Sequence, residues 1–305
     1  MTTTSSEPPH RTPTAPIVLG LGAAQGSSLA LRWAAETAAL HRRPLRIVHG
    51  ISVLDLSSSV ESGDVITPAI IATVREQAST TLREAARRAR EIAPQISIDT
   101  EVSDESPARL LIEHSETAHM VVLGAAARAS TVAHLGSTLL AVTSHGHGST
   151  VVVRADNSGL IAHQGPVVVG IDGSPTSEAA IAVAFAEASA RGTDLVALHS
   201  WSDWDTGVFA GEPAMPLGLE ELETTETAIL AERLAGWQEK YPDVSITRKV
   251  YLAGPAEQMM LWSKTAQLVV VGNRGRGGFA GLLLGSTSNF LVQHAHCPVL
   301  VAHSR

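Results

Sequence analysis

The chain has 305 residues, 44% of them hydrophobic, and a formal net charge of −8; that length suggests about two domains with ordinary cores. The acidic balance argues against a nucleic-acid footprint, which needs a basic face, and no apolar run reaches the length of a membrane span. The one cysteine, Cys297, excludes an intrachain disulfide and fits a reducing, cytoplasmic setting.

Taken in order, the first segment, MTTTSSEPPHRTPTAP, lacks the apolar stretch of a secretory signal and reads as a disordered tail over residues 1–15. From there the chain repeats itself. IVLGLGAAQGS at 17–27 returns as VVVGIDGSPTS at 167–177, LRIVHG at 45–50 as LVALHS at 195–200, and MVVLG at 120–124 as LVVVG at 268–272. LGST at 135–138 returns at 284–287, and HGHGSTVVV at 145–153 returns as HAHCPVLVA at 294–302. The offset stays at 148 to 150 throughout, so the chain is a tandem duplication of a whole domain. The expected boundaries are 16–154 and 166–305, joined by a linker at 155–165, ADNSGLIAHQG.

The second half reads as alternating strands and helices. Pro166–Asp172 is a strand, and Ser174–Arg191 a helix with Ser174 as N-cap and Pro175 in its first turn. Asp194–Ser200 is a strand, 201–217 a loop carrying Trp201 and Trp204, and Leu219–Lys240 a helix. Val244–Tyr251 is a strand, Ala256–Thr265 a helix, Leu268–Val271 a strand, Thr287–Ala295 a helix and Val299–Ala302 the last strand. The first half repeats this, with an amphipathic helix at 67–93. Several strands are continuous apolar runs, which implies a parallel sheet covered on both faces, an α/β fold.

The chemistry concentrates in LVVVGNRGRGGFAGLLLGSTS, residues 268–288. A buried strand ends at Gly272, a loop rich in Gly and Arg follows, and Gly285, Ser286 and Thr287 open a helix. Free N–H groups and the positive end of a helix dipole make such a junction a place to hold phosphate. Glycines let the backbone approach closely, Ser286 and Thr287 add hydroxyls, and Arg274 and Arg276 add positive charge. The alternative is a glycine-rich surface turn. The spacing is G-x2-G-x9-G-S over Gly272, Gly275, Gly285 and Ser286, which is neither G-x4-G-K-[ST] nor G-x-G-x-x-G.

This pattern resembles the ATP-binding motif of the universal stress protein family, and the likeness extends over both halves. The resemblance implies two tandem doubly wound domains, each a five-stranded parallel sheet in the order 3-2-1-4-5. Asp172 ends the first strand of the second half and Gly272 the fourth. Those strands are neighbours in the family order, so Asp172 and the glycine loop should share the crevice at the switch point. Asp172 matches the family's acidic residue in contact with the nucleotide, where a carboxylate can accept from ribose hydroxyls; it could also cap the nearby helix. By the same resemblance Gly170, Ser200 and Val271 line the adenosine side, Arg274 lies near the phosphates, and Ser288 completes the loop's contacts. The ligand implied is ATP, with Mg. The family also pairs domains through the final strand. The apolar edges VVV (151–153) and VLVA (299–302) therefore imply a homodimer.

The first half departs at each key point. Gly22 stands in place of Asp172, Ala127 replaces Gly275, and the gap from Ala127 to Gly136 is one residue shorter, although Gly136, Ser137 and Thr138 are kept. This half reads as a degenerate copy. The pairs His145/His147 and His294/His296 do not share a helix face and make no metal site; they suit a helix C-terminus instead. Cys297 reads as buried and inert. Trp201 and Trp204 could close over an adenine or cover core surface. Gly272-Asn-Arg-Gly275 also fits the G-x-x-G of a KH module, against which the charge and the neighbouring residues argue.

Two functions follow. One is an ATP-binding regulator of stress or growth state with little or no hydrolysis; the other is a slow ATPase or phosphotransferase. Phosphoryl transfer needs a positioned base and a metal site. The loop offers arginines and hydroxyls but no acidic residue beside the phosphates, which favours binding over catalysis.

Overall fold

The computed structural model describes residues 12, 14–22, 27–52, 68–125, 136–154, 161–201, 219–275 and 284–304. They form two compact units that divide after Arg154. Most of the N-terminal tail, Ala127 and its loop, residues 155–160, Trp204 and Arg276 lie outside the described residues.

The first unit runs β1 (Ile17–Gly20), α1 (Ser27–His41), β2 (Leu45–Gly50), α2 (Pro68–Ile92), β3 (Ile98–Ser103), α3 (Pro107–Ser115), β4 (Met120–Gly124), α4 (Ser137–His145) and β5 (Ser149–Val153). Its strands lie in the order β3-β2-β1-β4-β5, every pair parallel. Ile17 of β1 is in register with Leu45 on one side and Met120 on the other. Buried β1 and β4 supply the centre of this sheet. On the exposed face of α2, Arg87 and Arg88 donate to Glu84 at 2.7 and 2.8 Å and hold its carboxyl down to about 2.

The second unit runs β6 (Val167–Ile171), α5 (Pro175–Arg191), β7 (Leu195–Trp201), α6 (Leu219–Lys240), β8 (Ile246–Leu252), α7 (Pro255–Trp262), β9 (Leu268–Gly272), α8 (Ser286–His294) and β10 (Val299–Ala302). The order is β8-β7-β6-β9-β10, again all parallel. Each unit thus has the 3-2-1-4-5 arrangement of a doubly wound sheet.

Local chemistry sets the element ends. Ser174 caps α5 by accepting from the Ser177 N–H at 3.2 Å, Pro175 takes the first turn, and Gly192 closes the helix in the left-handed region at φ 60°. Most boundaries fall within a residue or two of the sequence pattern, and three of the differences have a visible cause or partner. β8 starts at Ile246, because the Val244 N–H closes a turn onto Tyr241 O. β7 continues through Trp201, paired with Leu252. α7 stops at Trp262, where the Ser263 hydroxyl donates back to Met260 O at 2.7 Å.

α5 buries Ala180, Ile181, Ala184, Phe185 and Ala188, a stripe at helical spacing whose alanines let the helix lie close on the sheet. Phe185 is fully buried and stacks on Trp237 and Tyr241, with centroids 5.7 Å from each. Leu230 and Leu234 of α6 are buried as well.

Two outcomes are expected. Phe185→Ala removes a buried ring and its stacking partners and should cost the second unit about 3–5 kcal/mol, read from the urea midpoint. Cys297 is wholly buried, and loss of solvation pushes its thiol up to about 12. Iodoacetamide at about pH 8 should therefore leave the native chain unmodified and alkylate it once it is unfolded.

Candidate functional site

β6 and β9 are neighbours at the centre of the second unit, in register from Val167↔Leu268 to Val169↔Val270. Their carboxyl ends open where the chain order reverses, and α5 leaves from one end while the glycine loop leaves from the other. The sequence-predicted residues gather around these two ends.

Asp172 follows β6 directly. Its Oδ1 accepts from the Ser174 N–H at 2.9 Å and from the Ser174 hydroxyl at 2.7 Å. Its own N–H donates to Ser177 Oγ at 3.2 Å. The carboxylate is therefore held against the start of α5, and the alternative of a helix-capping Asp is partly true as well. Its other oxygen, Oδ2, lies 2.5 Å from the point that a Cβ on Gly275 would occupy. The carboxylate and the loop backbone thus share one crevice, and only a residue without a side chain fits at 275.

The loop's first turn is tied to the same helix. Arg274 O accepts from the Thr176 hydroxyl and, at 3.5 Å, from the Ser174 hydroxyl. Gly272 packs so closely on Thr176 that a Cβ would meet Thr176 Oγ1 at 2.6 Å and its backbone carbon at 2.9 Å. The Asn273 N–H donates to Ala302 O at 2.8 Å, and the Gly285 N–H donates to Asn273 O at 2.8 Å. That second bond folds the far end of the loop back onto its start. A Cβ at Gly285 would stand 3.4 Å from Arg274 Cα and Asn273 O. Gly285 is the N-cap of α8 and brings no side-chain cap, so the first N–H groups of that helix have no capping side chain over them.

Ser286 is exposed and Thr287 half-buried at this helix start. Ser288 has a different part: it is buried and its hydroxyl donates to Gly272 O at 2.6 Å, fastening α8 to the end of β9. Gly170 and Val271 face each other, with Val271 Cγ1 at 3.5 Å and Met259 Cε at 3.3 Å from a Cβ built on Gly170. Met259 is a wall residue of this side that the sequence pattern alone did not mark, since one Met on an amphipathic helix carries no spacing signal. Ser200 lies at the end of β7, where its hydroxyl donates to Ala253 O. Arg274 is exposed.

In the first unit the described residues at the corresponding places differ. Gly22 offers no carboxylate; its carbonyl accepts from the Ser27 hydroxyl at 2.7 Å. Among the described residues, a Cβ on Gly136 would meet nothing within 4 Å.

Comparison with known proteins shows the family and the fold. The model of the universal stress protein family matches the chain twice, over residues 14–154 and 165–303. A universal stress protein of Mycolicibacterium smegmatis is 41% identical over 302 residues, covering 95% of this chain and 97% of that one. One of Mycobacterium tuberculosis is 37% identical over 292 residues, covering 94% and 95%. Among solved structures, a universal stress protein from Archaeoglobus fulgidus superposes with a TM-score of 0.71 at 16% identity, over 95% of this chain and 98% of that one, a likeness of fold. With two matched domains spanning nearly the whole sequence, the chain belongs to the universal stress protein family.

Proposed function

We infer that the second unit binds ATP and that the chain acts as a nucleotide-dependent regulator of stress or growth state, with little or no hydrolysis. The observation that carries this reading is the meeting of Asp172 Oδ2 with the backbone of Gly275, 2.5 Å from a Cβ position there. A carboxylate suited to ribose hydroxyls and a glycine cradle suited to phosphates stand on opposite sides of one crevice. Gly272, Gly275 and Gly285 give the close backbone approach. Ser286, Thr287 and the N–H groups opening α8 would take the phosphates, with Arg274 nearby. Gly170, Val271 and Ser200 would flank the adenosine. ATP would bring Mg2+ on its own phosphate oxygens and water. The first unit lacks the carboxylate and serves packing. The resemblance to the family also supports a homodimer, which light scattering at micromolar concentration would test.

Calorimetry should give one ATP per chain. Asp172→Ala should weaken it about tenfold to a hundredfold, the loss of a charged hydrogen bond of roughly 1.5–3 kcal/mol, while Gly136→Ala should change little. Two equivalent sites per chain would sink the assignment to the second unit alone. ATP turnover should stay well below about 1 per second; faster turnover that disappears in Asp172→Ala would make the chain an enzyme.

A further inference from the structure

His199 stands on β7 beside the crevice, and its two ring nitrogens both face acceptors. Nδ1 is 2.7 Å from Ile171 O, and Nε2 is 3.1 Å from Glu226 Oε2 in the second turn of α6. A carbonyl oxygen only accepts, so Nδ1 carries a hydrogen. A carboxylate also only accepts, so the second contact needs another proton, on Nε2 or on Glu226 itself. The geometry is complete only while the pair holds that shared proton. The His199 side chain is 12% exposed and that of Glu226 29%, so the contact is shielded from water more than a surface pair would be.

The carbonyl that His199 binds belongs to the peptide joining Ile171 to Asp172. The N–H of that same peptide donates to Ser177 Oγ at 3.2 Å. The peptide that delivers the ribose-facing carboxylate is thus held from both sides, by α5 and by His199. We propose that His199 is a positioning residue of the second-unit nucleotide site whose hold on the Ile171–Asp172 peptide is set by the proton it shares with Glu226, so that nucleotide affinity falls when that proton is lost at higher pH. This rests on the nucleotide-binding reading given above.

The first unit supplies an internal contrast. His49 Nδ1 contacts Leu21 O at 2.7 Å, the same strand-end contact. The helices α2 and α6 align at an offset of 148, through buried Leu82 with Leu230 and buried Ala86 with Leu234. At that offset the position of Glu226 is held by Ala78, itself buried. Among the described residues, the acid partner therefore occurs in the unit that keeps Asp172, and the matching position in the other unit is alanine.

Among the described residues, two cations on the packed elements have partners of their own. Arg233 of α6 donates to Glu178 of α5 at 2.7 Å, and Arg248 of β8, on the His199 face by strand alternation, reaches Gln238 Oε1 at 3.5 Å. Val250 is the register neighbour of His199 on β8 and Ile171 on β6. Among the described residues, Glu226 is the one acid in contact with this ring. When the shared proton leaves, a bare Nε2 lone pair faces a carboxylate. The contact then turns repulsive, and the ring loses one of its two anchors.

The test is ATP affinity of the full chain at about pH 6 and about pH 8.5, in wild type and in Glu226→Gln. Glutamine accepts from a protonated ring and donates to a neutral one, so it keeps the contact at both pH values. Wild type should weaken about fivefold more than Glu226→Gln across this interval; the titration of the γ-phosphate is common to both and cancels. His49→Asn in the first unit should keep the wild-type ratio. Equal ratios for wild type and Glu226→Gln would overturn the proposal. A second reading needs no ligand: nitrogen NMR of the nucleotide-free chain at about pH 8.5 should find His199 as the Nδ1–H tautomer, held by Ile171 O, and an Nε2–H tautomer would overturn the inference. Absence of ATP binding at every pH would overturn the nucleotide reading and the affinity effect with it, while the ring tautomer would still report on the geometry of the pair.

Discussion

A carboxylate and a main chain compete for one small volume in the second unit, and the rest of the crevice is arranged around that fact. Asp172 is fixed by two bonds from Ser174, so its Oδ2 has little freedom to withdraw, and Gly275 accommodates it by having no side chain. The two partners come from the ends of β6 and β9, which are distant in sequence and adjacent in the sheet. α5 stitches them together: its first turn binds Asp172 through Ser174 and the loop through Thr176. Polar groups at the start of one helix thereby set the width of the opening between two strands. A closed polar network of this kind is worth more as a specifier of geometry than as a source of stability.

The sheet order and most elements were legible because each rests on a local pattern. LVVV at 268–271 and VVVG at 167–170 are apolar runs bounded by turn residues, and Ser174-Pro175 announces a helix start by its chemistry. The order of strands came from family likeness, since periodicity cannot say which strands pair. Two of the boundaries that differed were decided by one hydrogen bond each, the Val244 N–H taken by a turn and the Ser263 hydroxyl returning to Met260. Such bonds leave no periodic trace.

The candidate site was legible in its glycines and its acid, whose types are demanded by space and charge. Less legible were roles that depend on direction. Ser288 looks in sequence like Ser286 and Thr287, yet it is turned inward to fasten β9. Met259 closes the wall beneath Gly170, and nothing in the spacing of α7 distinguishes it from an ordinary core residue. His199 carried no motif at all; its significance comes from having acceptors on both sides of its ring.

The register of the central strands also bears on how the chain is made. β1 emerges from the ribosome early and can pair with β2 soon after, but its other edge waits for β4, about a hundred residues later, which at about 5–20 residues per second is roughly 5–20 seconds of synthesis. The same delay separates β6 from β9. During each interval a wholly apolar strand has one open edge, and this happens twice in every chain. A nascent universal stress protein of this tandem kind is thus most exposed to mispairing and to chaperone capture midway through each half, when the first strand has one neighbour and lacks the other.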